Sequence, residues 1–157
     1  MKEQTAILGP KDPATLFSRL GLAIALRRQG HSAESERELR AVIGLETQVQ
    51  GPEHADTLKA RNNPANALNS QGKNAEAEKE HRAVLAIRER VPGPEHPDVF
   101  LTCHNLAVTL PRLGQRKEGL TYAQRARDGC KRTLGDDHPS YKKAVKQVES
   151  LEKMPAK

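Results

Sequence analysis

The sequence predicts an all-α fold in which pairs of helices stack into a solenoid. The tetrapeptide Gly51-Pro52-Glu53-His54 returns as Gly93-Pro94-Glu95-His96, a step of 42 residues (51 to 93). The same step leads back to Gly9-Pro10 and forward to Gly135-Asp136-Asp137-His138. An ungapped comparison of residues 9–50 with 51–92 gives 18 identities, where unrelated sequences would share roughly two or three. A fixed period between roughly 20 and 50 residues is typical of repeat arrays.

The period divides the chain into repeats. We expect one domain over residues 1–157, with repeats at about 9–50, 51–92 and 93–134 and a capping helix at about 139–153. Residues 1–8 match the end of the helix that closes the next repeat, so we interpret them as the remnant of a preceding helix. The chain would then be a segment of a longer array.

Each repeat contains the pattern of two helices separated by a glycine. Asp12 is a predicted N-cap followed by Pro13 at the first helical position, Gly30 is a predicted C-cap, and Ser32 is predicted to cap the second helix. Apolar residues at helical spacing fill the segments between these signals. Helices are therefore expected at about 13–29, 33–49, 55–71, 74–90, 97–113, 116–133 and 139–153.

Prolines and glycines interrupt this pattern. Pro64 stands in a helix interior, where proline removes a hydrogen bond and clashes with the preceding turn, so we expect a kink. Pro111 lies in the last turn of its helix and should distort it less. Gly119 and Gly129 leave the helix at 116–133 with few apolar side chains, so we expect it to be the loosest.

Small residues recur where the helices of a pair should cross. They are Ala23, Ala65 and Ala107 in the first helices, and Ser35, Ala77 and Gly119 in the second. Side chains of this size allow two helix backbones to approach closely.

The composition limits the classes of function. The chain of 157 residues carries a formal net charge of +6, with acids and bases interspersed along the helices; this indicates a soluble surface with a mild preference for acidic partners. Two Phe, two Tyr and no Trp offer few rings for stacking on bases, so nucleic acid is not favoured. No apolar run approaches the roughly 20 residues that cross a bilayer. Cys103 and Cys130 are interpreted as reduced thiols of a cytoplasmic protein.

Neither metal binding nor catalysis is indicated. His54, His96 and His138 occur one per loop, whereas the ligands of one metal ion converge within about 2 Å of it. We interpret them as loop histidines that precede helix starts. Cys103 and His104 are neighbours on a predicted helix and do not face each other. The sequence has no phosphate-binding glycine loop, zinc-protease helix motif or nucleophile elbow, so we expect no cofactor and no enzymatic activity.

The second repeat carries the motifs of a known family. They are Arg61-Asn62-Asn63-Pro64-Ala65-Asn66-Ala67-Leu68, Gln71-Gly72-Lys73, Ala75-Glu76-Ala77-Glu78, His81-Arg82-Ala83-Val84-Leu85-Ala86-Ile87-Arg88 and Gly93-Pro94-Glu95-His96-Pro97-Asp98. They resemble the 42-residue variety of tetratricopeptide repeat (TPR) found in kinesin light chains and in bacterial multi-repeat proteins. The resemblance extends from residue 9 to about 150. It implies a right-handed α-α superhelix, three helix pairs plus the C-terminal capping helix, whose first helices line a concave groove that binds a peptide or a partner's helix.

A stripe of asparagines marks this predicted groove. Asn62, Asn66 and Asn69 share one face of a helix, and Asn63 lies beside it. Asparagine is a mediocre helix former, while its amide offers donors and an acceptor to an extended peptide backbone. The resemblance implies this role for Asn62, Asn66 and Asn105. The alternative is that these amides are solvated or cap neighbouring loops.

The same register assigns further side chains to the groove. They are Phe17, Leu20, Gly21, Ile24 and Arg28 in the first repeat, Lys59 in the second, and Leu101, His104, Val108 and Arg112 in the third. Arg28, Lys59 and Arg112 would attract an acidic ligand, although each charge alone is also typical of a solvated surface.

We therefore expect a non-catalytic interaction scaffold that binds a peptide or a partner protein in the concave groove, with a preference for acidic ones. Two alternatives stay open: a basic platform for RNA or another polyanion, and a sensor or spacer segment of a larger multidomain protein. Self-association through the uncapped N-terminal end is a further prediction.

Overall fold

The computed structural model describes residues 9–154, and every regular element in that range is helical. The helices are α1 (Pro13–Arg28), α2 (Ser32–Gln50), α3 (Ala55–Ser70), α4 (Asn74–Arg90), α5 (Pro97–Thr109), a 3₁₀-helix (Leu110–Leu113), α6 (Arg116–Leu134) and α7 (Pro139–Lys153). The predicted all-α class is confirmed. The predicted remnant of a helix at residues 1–8 lies outside the described residues.

One position in each repeat caps the first helix of that repeat. Asp12 Oδ1 accepts a hydrogen bond from the backbone amide of Ala14 at 2.8 Å. In the following repeats this position is histidine: Nδ1 of His54, His96 and His138 accepts from the amide two residues further on, at 3.3, 3.2 and 3.2 Å. Because the first amides of a helix have no partner within it, these side chains stabilise the starts of α3, α5 and α7.

A glycine with positive φ follows each helix from α1 to α6. Together with Gly9, which precedes α1, these are Gly30, Gly51, Gly72, Gly93, Gly114 and Gly135, one every 21 residues (9 to 30), with φ between 78° and 99°. This backbone region is strained for residues that carry a Cβ. The glycines therefore set the points at which the chain leaves one helix and turns towards the next.

Two local predictions need correction. No side chain caps α2, which begins at Ser32, so Ser32 is the first helical residue and not the cap. The end of α5 is more distorted than predicted: the α-helix stops at Thr109 and continues as the 3₁₀-helix, because Pro111 has no N–H to extend the α-helical ladder. By contrast, α3 runs unbroken through Pro64, and a kink in it stays a prediction.

The described helices form two compact units, and the first extends to Lys73. In it, α1, α2 and α3 pack around Ala23, Leu39 and Ala67. Ala23 is fully buried, and Ser35 Oγ donates a hydrogen bond to its carbonyl oxygen at 2.7 Å. This contact requires the close approach of α1 and α2 that the small residues at these two positions predicted.

The second compact unit begins at Asn74 and contains α4 to α7. Its larger apolar cluster draws on all four helices: Leu85, Val99, Phe100, Cys103, Leu106, Leu110, Ala126, Cys130 and Ala144. A smaller cluster of Ala107, Ala123, Val148 and Leu151 joins α5, α6 and α7. The core of this unit therefore surrounds α5.

The expectation that α6 packs loosely is not met, because its glycines admit neighbouring side chains. A Cβ on Gly129 would lie 2.1 Å from Phe100 Cε1, so the glycine makes room for the ring. A Cβ on Gly119 would lie 3.0 Å from Pro111 Cδ. Both glycines are buried. The few apolar side chains of α6 thus reflect close packing and not its absence.

The last helix, α7, contributes Val148 and Leu151 to the smaller cluster, which agrees with the predicted capping helix at about 139–153. Its C-terminal carbonyls have a partner on α6: Arg116 donates from Nε to the Leu151 oxygen at 2.7 Å and from Nη2 to the Glu152 oxygen at 3.0 Å. The arginine thereby satisfies acceptors that a helix end leaves open.

Candidate functional site

A groove runs between α5 and α7 in the second unit, and we call it the α5–α7 groove. It holds a cavity of about 550 Å³. The side chains that line it include His104, Val108 and Arg112 on one side, and Lys143, Lys146, Gln147 and Ser150 on α7. The structure therefore brings three of the predicted groove residues of the third repeat together.

Sequence analysis missed the α7 side of this groove, although the repeat register contains it. A shift of 42 carries Leu101, His104, Asn105 and Val108 to Lys143, Lys146, Gln147 and Ser150. The interpretation of residues 139–153 as a capping helix left these lysines out of the predicted groove. The register signal was available, and applying it to the incomplete fourth repeat would have found them.

The side chains that line the α5–α7 groove carry positive charge. Arg112, Lys143 and Lys146 line the cavity, and the described lining residues include no carboxylate. The pKa of His104 is lowered to about 4, mainly by burial and to a smaller extent by the nearby charge of Lys143. The imidazole is therefore neutral at neutral pH. Gln147 Nε2 donates to the His104 carbonyl oxygen at 3.3 Å and so links the two helices.

A second cavity of about 310 Å³ shares His104 and Lys143 with the groove. Its walls include Phe100 and Cys130 of the larger apolar cluster. Leu101, another predicted groove residue, also lines it and has 46% of its surface exposed. Val108 in the groove is 37% exposed. This part of the second unit thus offers apolar surface beside the cations.

The asparagine stripe lies on α3 in the first unit, where its members differ in exposure. Asn62 and Asn69 are buried, with 5% and 6% of their surface exposed, while Asn63 and Asn66 are half-buried. Asn63 Nδ2 donates to the Lys59 carbonyl oxygen at 3.2 Å. Asn66 keeps accessible surface, and the structure shows no hydrogen bond from its side chain to its own helix. It is therefore the member of the stripe best placed to contact a ligand.

Some of the other predicted groove residues of the first unit lie together around one cavity, and others do not. Phe17, Leu20 and Lys59 line one cavity of about 390 Å³, and 78% of the Phe17 surface is exposed. Ile24 is half-buried, whereas Arg28 is exposed at the end of α1 and does not line that cavity. Asn105 belongs to the second unit, where it is half-buried on α5.

Three further properties concern metal ligands, thiols and membrane-spanning helices in the part of the chain that the structure describes. The described residues contain no group of three or more His, Cys, Asp or Glu side chains arranged to hold a metal ion. Burial raises the pKa of Cys103 to about 11 and also raises that of Cys130, so both are protonated at neutral pH. Within residues 9–154, no helix combines the length and the apolar character required to span a membrane.

The model of the Tetratricopeptide repeat family matches residues 57–98 and 100–140, which is more than half of the chain. The chain therefore belongs to the tetratricopeptide repeat family. Repeats of this family are typically non-enzymatic scaffolds for protein interactions, and they bind proteins or peptides. The predicted family is confirmed.

Solved structures share the fold of this chain. Two are of a kinesin light chain-type protein of Podosopora anserina with nearly identical TPR-like repeats. One, a single-residue variant, is 25% identical with a TM-score of 0.74 and covers 96% of this chain and 71% of that chain. The other is 23% identical with a TM-score of 0.69 and coverages of 96% and 81%. BtubC (BKLC) from P. vanneervenii is 18% identical with a TM-score of 0.81 and coverages of 95% and 60%. A search of curated protein sequences finds no match.

Proposed function

We propose that this protein is a non-catalytic scaffold that binds an extended, acidic peptide of a partner protein along the first helices of its repeats. The observation that carries the proposal is the α5–α7 groove. Arg112, Lys143 and Lys146 line one cavity of about 550 Å³ whose described lining includes no carboxylate. Like charges gathered in a cleft attract a ligand of opposite charge and raise its rate of association.

Polar side chains of the groove suit an extended backbone. Gln147 lines the groove together with Lys143 and Lys146, and Asn105, which is not among the residues that line the cavity, is its register equivalent on α5. A side-chain amide donates and accepts at once, so it can pair with a peptide group whatever the ligand's side chain. Leu101 and Val108 supply exposed apolar surface for the side chains between the acidic residues.

In the first unit, the proposal assigns the peptide contact to Asn66, Lys59 and Ile24. Asn66 is the accessible amide of the stripe, and the exposed Lys59 lies about two turns earlier on the same face of α3. Asn62 and Asn69 are almost completely buried, so the proposal gives them a packing role within the first unit and no direct contact with the peptide.

Fluorescence anisotropy with a labelled peptide tests the groove. The probe is an octapeptide that alternates Glu or Asp with Leu, and the comparison probe replaces each acid with Gln. We expect saturable binding of the acidic probe alone. Lys143→Glu and Lys146→Glu should each weaken it at least tenfold, because attraction becomes repulsion. Asn105→Ala should weaken it a few-fold through the loss of one hydrogen bond.

Lys142→Glu is the matched control. Lys142 is adjacent in sequence and exposed, does not line the cavity, and pairs with Asp137 at 3.2 Å. The variant changes the net charge as Lys143→Glu does. If it weakens binding equally, the interaction is a general charge effect and the groove proposal fails. Retention on heparin with a steep salt dependence would then favour the polyanion platform.

A further inference from the structure

The cavity of about 390 Å³ in the first unit has an equivalent in the second unit, and we call it the α1–α3 cavity. A shift by two periods, 84 residues (13 to 97), carries every residue that lines it to a residue that lines the cavity of about 310 Å³. In the second unit α4 precedes α5, and among the described residues none of α4 lines the equivalent cavity. The second helix of a preceding repeat therefore leaves this kind of cavity open.

A buried carboxylate distinguishes the α1–α3 cavity from its equivalent. Where Cys130 lines the cavity of the second unit, Glu46 of α2 lines the α1–α3 cavity, with only 8% of its surface exposed. Its Oε2 accepts a hydrogen bond from Gln50 Nε2 at 2.7 Å, and no cation among the described residues pairs with it. Because a carboxylate this deeply buried normally has a positive partner, the cavity presents a negative charge that the described chain does not compensate.

The other charged side chains of the α1–α3 cavity pair with each other. Lys59 Nζ lies 3.5 Å from Asp56 Oδ1, and both side chains are about half exposed. Two carboxylates and one ammonium group thus line the cavity, which leaves one negative charge in excess. Leu16 is a buried apolar wall, and Phe17 adds a ring whose surface is 78% exposed. These walls suit a side chain with an apolar stem and a positive end.

The next repeat places an arginine at the position of Glu46. A shift of 42 carries Glu46 to Arg88 and Asp56 to Asp98. Arg88 Nη2 lies 3.6 Å from Asp98 Oδ2, and Arg88 Nη1 donates to the Asp98 carbonyl oxygen at 3.0 Å. The fold therefore accepts a buried guanidinium beside an aspartate at these positions. In the first unit the aspartate remains, but a second carboxylate and a cavity stand where the guanidinium would be.

We propose that the α1–α3 cavity binds an arginine side chain of a partner protein. The guanidinium donates to the carboxylate of Glu46, and its stem and planar head pack against Leu16 and the ring of Phe17. Arginine suits the cavity better than lysine, because its planar fork donates through two N–H groups and stacks on a ring. This site goes beyond the proposed function, which concerns acidic residues of a ligand, and it does not depend on the α5–α7 groove.

An NMR titration of the isotope-labelled full chain with the pentapeptide Ala-Ala-Arg-Ala-Ala tests the site. Both ends of the probe are blocked, so the guanidinium is its only charge. We expect saturable shifts of the backbone amides of Phe17 and Glu46. A comparison probe with citrulline, in which a neutral urea group replaces the guanidinium, should bind at least tenfold more weakly. Because the chain carries a net charge of +6, general electrostatic attraction would not favour the arginine probe. Equal affinity for the two probes, or no saturable shift in the millimolar range, would overturn the proposal.

A pair of matched substitutions on α2 tests the role of Glu46. Glu46→Gln keeps the shape of the side chain and removes its charge, so it should weaken binding about tenfold through the loss of a charge-assisted hydrogen bond. Glu34→Gln makes the same change at a side chain that is 53% exposed and does not line the cavity, and it should leave the affinity within twofold. Unchanged affinity in Glu46→Gln, or equal weakening in both variants, would exclude the site.

Glu46→Arg tests the same cavity without a ligand. It should form with Asp56 the pair that Arg88 forms with Asp98, and it should therefore abolish binding of the probe and raise the midpoint of thermal unfolding. A lower midpoint would show that the cavity does not accept a guanidinium and would contradict the proposal. Lys143→Glu should leave the affinity for the arginine probe unchanged, so failure of this site is distinguishable from failure of the α5–α7 groove.

Discussion

The histidines that cap α3, α5 and α7 act as hydrogen-bond acceptors, and this restricts their chemical form. Nδ1 receives the backbone N–H, so the ring must keep a lone pair there and carry its proton on Nε2. Asp12 performs the same task with a carboxylate oxygen. In all four helix starts, the residue at this position therefore supplies a short-range hydrogen-bond acceptor.

The capping role predicts different effects for two substitutions of His96. His96→Ala removes the acceptor and should lower the free energy of unfolding by about 1 kcal/mol, as other N-cap deletions do. His96→Asp restores an acceptor and should retain the stability. Urea unfolding monitored by circular dichroism measures both, and equal losses in the two variants would contradict the role.

Two histidines, the buried His81 and the partly buried His104, predict how stability depends on pH. Burial lowers the pKa of His81 and of His104 to about 4, whereas histidine in an unfolded chain titrates near 6.5. Between these values the unfolded chain binds more protons, so a fall in pH favours unfolding and the effect ends near pH 4. The urea midpoint should be lower at pH 5 than at pH 7.

The control is the double variant His81→Gln and His104→Gln. It should show a smaller drop in midpoint between pH 7 and pH 5, because neither position can then take up a proton. An unchanged drop would assign the pH dependence to other groups.

At the scale of elements, the crossing of α5 and α6 depends on Gly129. A methyl group there would overlap the ring of Phe100, so Gly129→Ala should destabilise the protein by about 1–3 kcal/mol, as overpacking of a core does. Phe100→Leu in the same chain should recover part of the loss, because the smaller side chain leaves room for the methyl group. Thermal unfolding of the two single variants and the double variant measures this coupling; strictly additive losses would exclude the contact as the cause.

The helices themselves could be predicted because their signals are local. Asp12 acts through a side-chain hydrogen bond to a nearby amide, and Pro13 and Gly30 act through their own backbone geometry, so α1 begins at Pro13 and ends near Gly30. The change to a 3₁₀-helix near Pro111 could be anticipated only in part, since proline disturbs the turn before it but leaves open how the chain recovers.

Tertiary features were harder to predict. The packing of Phe100 against Gly129 depends on how two helices cross, and single-sequence patterns carry no such information. The burial of Asn62 and Asn69 could not be predicted for the same reason. Spacing shows that residues share a face of a helix, but it does not show which neighbour covers that face. Lys143 and Lys146 were absent from the predicted groove because residues 139–153 were interpreted only as a capping helix, although the repeat register also places them beside a groove.

At the scale of the whole molecule, the two compact units should differ in their ability to fold alone. The second unit holds both larger apolar clusters, whereas the first packs mainly around Ala23, Leu39 and Ala67. Stability in repeat proteins is roughly a sum over units and neighbouring contacts. Residues 74–157 expressed alone should therefore be helical and unfold cooperatively, whereas residues 1–73 should have lower helicity and a broad transition. Circular dichroism melts compare the two, and a more stable first fragment would contradict this distribution of the core.

The glycines with positive φ recur at a constant interval of half a period, and this regular spacing determines which insertions and deletions in the gene the fold can accept. Excision or duplication of any 42-residue block joins two equivalent sites, so each new junction has the same turn as the old one. Loss or gain of one amino acid inside a helix would instead displace every later side chain by about 100° around its axis. A gene of this kind can therefore change length with the least disruption of the encoded protein by gaining or losing whole repeats.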